Sequence, residues 1–268
     1  PSGLVMLNWP LEGNDWHNGL DRCLSADGQV RAELAQEMQR HSKDFLKALE
    51  ECSGGWITAG NAFPGADPSL ALMPYWREGR RLMGRTTVTE RDLLPISTQA
   101  LRGPLPIDAH GRCTSIAVGT YANDHHYPGE DWPLAPKSVR WGGRWSGTPF
   151  CIPFDALITD SIPNLVMAEK GFSVSHMANG ATRLQPLILN LGQVAGLAAA
   201  MAVRQGCNPA DLQVEAIQSA LIHEPQAPAA VLPIWDWPLW HPHWVKAQEQ
   251  GLAQAEHLDA MGRLSGPR

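Results

Sequence analysis

Apolar residues recur at helical spacing between residues 29 and 52 of the chain. The side chains that share this face are Val30, Leu34, Met38, Phe45 and Leu49. His41 and Ser42 interrupt the face, and the pair Gly54–Gly55 follows its last turn. An apolar stripe beside a polar face predicts an amphipathic helix on the surface of a domain, ended by the glycines.

A second helix is predicted from the apolar stretch GATRLQPLILNLGQVAGLAAAMAVRQG, which runs from Gly180 to Gly206. Pro186 suits a first turn, where its missing N–H costs nothing, and Gly206 suits the position just after the last turn. Gly192 and Gly196 lie inside the stretch, although an interior glycine costs about 1 kcal/mol relative to alanine. We therefore expect the helix backbone to approach a neighbouring element closely at these two glycines.

The same stretch is long enough to cross a membrane between Leu184 and Val203. Gln185, Asn190 and Gln193 interrupt it, and its flanks are polar. These polar residues favour a helix that packs on a sheet in water over one that spans a bilayer. We therefore expect no membrane partner.

Three segments have the composition of short strands: TSIAVGTY (114–121), FCIPFDALI (150–158) and IPNLVMAEKG (162–171). Pro153 places the second at a sheet edge, and Gly171 ends the third. The polar segment 123–149, rich in Gly, Pro and Trp, separates the first two and predicts a long loop. This mixture of helices and strands predicts an α/β fold that is α+β in part.

Composition limits the kinds of partner that the chain can have. It has 268 residues, enough for one large domain or two modest ones, and a net charge of -6. An acidic balance argues against nucleic acid, which requires a basic face. Five dispersed cysteines without a CxxC pair predict reduced thiols, and the opening PSGLVMLNWP lacks the pattern of a secretory signal. Together these features predict a cytoplasmic location.

Asp124 and two neighbouring histidines follow the end of the first predicted strand. A carboxylate beside the imidazoles of His125 and His126 has the composition of an acid/base pair or of a metal site. A third ligand is not evident nearby in the sequence, so we expect no metal.

A dense charge cluster occupies residues 77–81, in which Arg77, Glu78, Arg80 and Arg81 occur together. It has two interpretations, a solvated ion-paired face or a set of guanidinium groups that orients an anionic substrate.

Ser173, Ser175 and His176 raise the possibility of a hydrolase. However, GFSVS is one glycine short of the GxSxG nucleophile motif. Ser175 and His176 on one strand would also point to opposite faces. We therefore expect this segment to line a ligand through hydroxyl and backbone groups.

The tail is rich in aromatic residues, with Trp235, Trp237, Trp240 and Trp244 close to His241 and His243. Such a cluster predicts either an aromatic strap over the core or a platform for a sugar.

The stretch IPNLVMAEKGFSVSHMANGATRLQPLILNLGQVAGLAAAMAVRQG resembles the C-terminal signature of FAD-dependent oxidoreductases of the two-domain, glutathione-reductase-like type. Four more segments resemble other landmarks of these enzymes, in the same order: LNWPLEGNDW, PYWREGRRLMGRTTVTERDLL, SIAVGTYANDHHY and FCIPFDALI. Together the five motifs span most of residues 5 to 206. The resemblance implies an oxidoreductase that transfers hydride between a small organic substrate and FAD.

The resemblance also implies an organisation into three parts. Residues 1–112 would form a substrate or cap region, 113–206 the C-terminal part of a Rossmann-like FAD-binding domain, and 207–268 a final helix and the Trp-rich tail. The returning last strand of that domain would be Asn164 to Ala168, followed by the Gly- and Ala-rich helix. The chain lacks the GxGxxG turn that holds the ADP half of FAD, so it resembles a C-terminal portion. The N-terminal FAD-binding half would then be a partner on the same or a separate chain.

The resemblance further implies roles for individual residues. The catalytic candidates are Asp124, His126, Arg77 and Arg81, of which Asp124 and His126 match the Asp-x-His motif of the family. The cofactor-binding candidates are Glu169, Ser175, His176, Gly180, Arg183, Leu184, Gln185 and Leu187. Backbone N–H groups near Leu184, Gln185 and Leu187 would stabilise negative charge on the reduced flavin at N1 and O2. The family strand ends in Ala-Gly-Arg, whereas this chain has Ala168-Glu169-Lys170-Gly171.

A function of another class stays open at this point. Since GxGxxG is missing, the chain is also compatible with a non-catalytic module that binds a carbohydrate or a protein through its Trp-rich tail.

Overall fold

The computed structural model describes residues 3–7, 13–76, 79–97, 100–124, 148–234 and 236–255. The described residues up to Gly79 form one compact unit, and those from Arg80 onward form another. The three-part division expected from the sequence stays a prediction.

The first unit is organised around the predicted amphipathic helix, α1 (Gly28–Cys52). Asp27 begins the helix, because its carboxylate accepts the N–H of Gln29 at 2.8 Å. Gly54 and Gly55, at φ 64° and 82°, end it in the left-handed conformation that glycine permits. Only Leu34 of α1 is fully buried, as expected for a surface helix.

A short 3₁₀ helix, Leu20–Leu24, precedes α1 and is tied to it by an ion pair. The Arg22 guanidinium donates hydrogen bonds to both carboxylate oxygens of Glu37. This bidentate geometry fixes the chain ahead of the helix more firmly than a single contact would.

The second unit contains a two-stranded antiparallel sheet surrounded by helices. Strand β1 (Ser115–Gly119) pairs with β2 (Phe150–Pro153), with a bulge between Ser115 and Ala117. The helices are α2 (Glu90–Leu93), α3 (His176–Thr182), α4 (Gln185–Gln205), α5 (Val214–Ile222) and α6 (Trp244–Ala253). Short 3₁₀ turns occupy Phe154–Ala156 and Pro209–Asp211. This combination of helices with a small sheet is consistent with the predicted α/β class.

Helix α4 confirms the second helix prediction, including both of its ends. Pro186 lies in its first turn, and Gly206 follows its last turn at φ 66°. One face, made by Leu187, Leu191, Val194 and Ala198, is buried in the core against β1. In the described part of the chain, α4 is the helix long and apolar enough to cross a membrane by length and composition. Core helices of soluble proteins pass the same test.

The two glycines inside α4 do not have the close neighbour that the sequence led us to expect. A Cβ added at Gly192 would lie 3.6 Å from the Ala168 carbonyl oxygen, an ordinary contact. A Cβ added at Gly196 would meet no atom within 4 Å. Close approaches occur at other glycines instead, among them Gly84, where an added Cβ would lie 2.7 Å from the Cβ of Ser173.

The predicted strand Asn164–Ala168 is wrong for this structure. The segment makes a single bridge, between Val166 and Ile158, and the Met167 N–H donates to the Leu157 carbonyl at 2.8 Å. A strand requires a hydrogen-bonded neighbour along its length, and this segment meets only a turn. The second predicted strand also ends early, because the chain turns into a 3₁₀ helix directly after Pro153.

Helix α3 is a feature that the sequence patterns did not predict. Ser175 begins it by accepting the N–H of Ala178 at 3.1 Å. Ser175 and His176 therefore do not share a strand; Ser175 is the N-cap of α3, and His176 is the first residue of the helix.

Candidate functional site

The segment after β1 meets the junction of α3 and α4 through Asp124 and Arg183. The Arg183 Nη2 donates to the Asp124 Oδ2 at 2.9 Å, and the side chains are 10% and 28% exposed. The Asp124 N–H also donates to the Gly180 carbonyl at 3.3 Å. Three residues proposed from the sequence, Asp124, Gly180 and Arg183, thus lie together.

The α3–α4 junction presents the N-terminus of a long helix directly beside this ion pair. Arg183 is the C-cap of α3, and the next residue, Leu184, is the N-cap of α4. Arg183 therefore directly precedes the start of α4. Leu184 supplies no side-chain cap, and Pro186 has no N–H to satisfy. The first turn of α4 therefore offers the N–H groups of Gln185 and Leu187, at the positive end of the helix dipole.

Buried polar atoms without hydrogen-bond partners flank the ion pair on both sides. Within the described residues, they include the Oδ1 and Nδ2 of Asn123 and the Oγ1 of Thr182. Asn123 precedes Asp124 in the chain, and Thr182 precedes Arg183. Unpaired buried polar atoms are rare in proteins and cost about 1–3 kcal/mol each. Donors and acceptors of this kind suit a ligand such as the flavin pyrimidine ring, which carries both.

Neither Asn123 nor Thr182 was a candidate from the sequence. Asparagine and threonine occur at many surface positions, and the composition around these two carries no signal. Only their burial without partners identifies them.

Two of the proposed cofactor ligands have local structural roles. The Glu169 Oε1 accepts the Gly171 N–H at 3.0 Å and so closes the turn that replaces the Ala-Gly-Arg end of the family strand. Ser175 caps α3, and His176 is an exposed first residue of that helix. Among the described residues, Glu169 forms no hydrogen bond or ion pair with Asp124 or Arg183, and its role toward the cofactor stays a prediction.

The described end of the charge cluster, Arg80 and Arg81, lies beside the Glu169–Gly171 turn. The Leu82 N–H donates to the Gly171 carbonyl at 2.8 Å, which places Arg81 next to this turn. Arg77, His126 and Glu78 lie outside the described residues, so their predicted roles stay predictions.

Arg85, which sequence reasoning passed over, has a structural role in the same segment. Its Nε donates to the Asp160 Oδ1 at 2.7 Å, and its Nη1 donates to the Ala210 carbonyl at 2.9 Å. This arginine therefore joins three distant parts of the second unit.

The serines of the rejected hydrolase motif are occupied elsewhere. The Ser173 hydroxyl lies 3.0 Å from the Thr87 hydroxyl, and the Ser175 hydroxyl caps α3. Both hydroxyls therefore have partners within the protein.

Much of the aromatic tail packs against the protein itself. Trp244 is buried in the core, and Trp237 packs on His241 at a ring-centroid distance of 4.4 Å. Trp240 is 85% exposed, and Trp235 lies outside the described residues. Buried Trp244 and packed Trp237 are the features of a strap over the core.

All five cysteines are free thiols. Burial raises the pKa of the Cys151 thiol to about 12, and burial also raises the pKa of Cys113. Both thiols are therefore protonated at neutral pH, which makes them poor nucleophiles.

The sequence matches the family described as FAD dependent oxidoreductase over residues 1–221, which is most of the chain. The chain therefore belongs to the FAD-dependent oxidoreductases, its cofactor is FAD and its chemistry is flavin-linked oxidation and reduction. The match includes the Asp124–Arg183 pair and α4, and it ends within α5. No curated protein and no solved structure matches the chain.

Proposed function

We propose that this chain is the C-terminal part of a flavoenzyme that transfers hydride between a small organic substrate and FAD. The observation that carries the proposal is the partly buried Arg183–Asp124 pair at the uncapped N-terminus of α4. In this proposal, the pyrimidine end of the flavin lies against that helix end, as it does in proteins that the sequence resembles.

FAD supplies the redox chemistry when it is bound, and the protein supplies position and electrostatics. The N–H groups of Gln185 and Leu187 stabilise negative charge that develops near them, because the helix dipole adds to their hydrogen bonds. Asp124 holds the Arg183 guanidinium at 2.9 Å and so orients the entry into α4. His126 would relay a proton, and Arg77 and Arg81 would orient the substrate.

The exposed face of α4 supports the proposal that a further portion of the enzyme is missing from this chain. Leu189 is 74% exposed and Val203 is 82% exposed, and Gly196 and Ala200 lie on the same face. Contiguous apolar surface of this kind usually marks an interaction site. We assign it to the N-terminal FAD-binding half, since residues 1–268 of this FAD-family sequence include no GxGxxG turn for the ADP group.

The assignment also gives a reason for the glycine at position 196 of α4. The empty space beside Gly196 would accommodate the backbone of the incoming half, as the Rossmann-like arrangement implies. The N-terminal half could belong to the same polypeptide or to a separate one.

We propose in addition a cellular location and a kind of binding partner for the enzyme. Five free thiols and an acidic balance support a cytoplasmic enzyme that acts on a small molecule and binds neither nucleic acid nor a membrane.

The protein isolated from its natural source tests this function on a sizing column with absorbance recorded at protein and flavin wavelengths. We expect a yellow peak well above the 29.2 kDa of this chain. A colourless peak at the mass of the chain would overturn the proposal. It would leave a flavin-free binding module, which could then be tested for glycans by tryptophan fluorescence.

A further inference from the structure

Asn123 and Thr182 combine burial with unused hydrogen-bonding capacity. Thr182 is completely buried, and its Oγ1 has no partner among the described residues. Both polar atoms of the Asn123 side chain are likewise buried and unpaired in the part of the chain that the structure describes. Together they offer amide donors, a carbonyl acceptor and a hydroxyl that can do either.

The two residues belong to one neighbourhood. Asn123 is bonded to Asp124, whose N–H reaches the Gly180 carbonyl at 3.3 Å. Thr182 is bonded to Arg183, whose guanidinium reaches the Asp124 carboxylate at 2.9 Å. Adjacent Cα atoms are about 3.8 Å apart, so both residues adjoin the same ion pair.

The charges in this neighbourhood favour a neutral ligand. The Asp124 carboxylate lies against the Arg183 guanidinium and balances its charge. An anionic group placed here would meet the carboxylate as well as the guanidinium, and the repulsion would offset the attraction. Neutral donors and acceptors are what Asn123 and Thr182 present.

We propose that Asn123 and Thr182 form a hydrogen-bonding subsite for a neutral ligand group in which an N–H stands beside a carbonyl. The Asn123 Oδ1 accepts the ligand N–H, its Nδ2 donates to the ligand carbonyl, and the Thr182 hydroxyl bonds a second polar atom. The imide edge of the flavin pyrimidine ring has this pattern, and so does an amide-bearing substrate. The flavin form of the inference rests on the proposed function.

Two nearly isosteric substitutions in the full-length protein test the subsite, Asn123→Leu and Thr182→Val. Each keeps the shape of the side chain and removes its hydrogen bonds. In the absence of ligand, both variants should melt at or above the wild-type temperature, because unpaired buried polar atoms are replaced by apolar ones. With FAD as the probe, we expect Asn123→Leu to bind roughly tenfold more weakly, in a titration of the apoprotein followed by flavin absorbance.

Thr87→Val is the matched control, because the Thr87 hydroxyl already has an internal partner in Ser173 at 3.0 Å. It makes the same chemical change as Thr182→Val at a site with no role in the proposal. We expect it to lower the melting temperature of the apoprotein and to leave FAD affinity unchanged.

Thermal shifts with FAD and with succinimide, a small cyclic imide, separate the two sources of the ligand. Weaker FAD binding by Asn123→Leu supports the flavin imide as the occupant. Unchanged FAD binding with loss of a succinimide shift that the wild type shows supports an amide-bearing substrate. Wild-type responses to both probes in both variants would overturn the inference. A wild-type protein that binds no FAD would overturn the proposed function instead, while the succinimide comparison would still test the subsite.

Discussion

Arg183 donates a hydrogen bond to Asp124 across 59 positions of sequence, and the bond joins the segment after β1 to the start of α4. The Arg183 side chain is only 10% exposed. Water therefore stabilises its positive charge less than it would on the surface, and the Asp124 carboxylate supplies part of the stabilisation instead. The pair therefore determines how the chain enters the helix whose N-terminus we assign to the flavin.

Asp124→Asn should destabilise the second unit by about 2 kcal/mol, since it leaves a mostly buried guanidinium with a neutral partner. Urea denaturation measures the change. Glu215→Gln is the control, because Glu215 and Arg112 form a well-exposed pair whose loss should have little measurable effect. Equal midpoints for Asp124→Asn and the wild type would show that the pair does not stabilise the fold.

Gln218→Leu should destabilise the protein by roughly 2–3 kcal/mol. The Gln218 Nε2 donates to the carbonyls of Cys113 and Ser115, both at 2.8 Å, and so bridges the bulge at the start of β1. Leucine would leave two buried acceptors unpaired. Gln205→Leu, at an exposed position on α4, should change the urea midpoint little. Similar losses in the two variants would contradict the assigned role.

Leu189→Glu should leave the secondary structure of this chain intact and release the flavin-binding half. A carboxylate on the exposed face of α4 would have to be buried without a partner when the other half docks. We expect at least tenfold less flavin in the protein peak of a sizing column. Ile162→Glu provides the comparison, because Ile162 is also exposed and apolar but lies outside α4. Full flavin retention by Leu189→Glu would remove the support for this docking face.

The free energy of unfolding should decrease in alkaline solution, because the Cys151 thiol loses its proton more readily in the unfolded chain than when it is buried. Its folded-state pKa is raised from an ordinary value of 9.0 to about 12 by burial. Between these two values the folded state binds the proton more tightly than the unfolded state, so stability is complete below pH 9 and is lost as the pH rises toward 12. Urea midpoints measured across this range should fall less steeply for Cys151→Ala. Equal slopes for the variant and the wild type would contradict a raised pKa at this residue.

His126→Ala should slow flavin reduction by a factor of about 10² or more without releasing the cofactor, if His126 relays a proton. Stopped-flow absorbance of the holoenzyme follows the reduction, and the flavin content of the purified variant serves as the control. Unchanged reduction kinetics would reject His126 as the relay and would leave Asp124 to be tested next.

Local sequence was sufficient wherever the determining interactions are local. The bounds of α1 follow from the Asp27 cap and from glycines at positive φ, and Gly206 likewise ends α4. Periodicity also placed Leu34, the one fully buried residue of α1, on the apolar face of that helix, because residues three and four apart share a face whatever the rest of the fold does. The family motifs also directed attention to Asp124, Gly180 and Arg183 before their contacts were known.

Structural features that depend on residues far apart in the sequence could not be predicted from it. The segment 164–168 has the composition of a strand, yet its pairing depends on which backbone lies beside it, and here that is a turn at Ile158. Helix α3 was missed for a different reason: its seven residues make only about two turns, which is too few for a helical pattern of apolar residues to be recognised.

The sequence by itself therefore determined the long helices, their caps, β1 and membership of a flavin-dependent family. Only the tertiary structure decided that Arg183 pairs with Asp124, that α4 keeps an exposed apolar face and that Asn123 and Thr182 are buried without partners. The physical reason is that caps and periodicity act over a few residues of chain. Burial and hydrogen-bond satisfaction depend on atoms brought together from far apart in sequence.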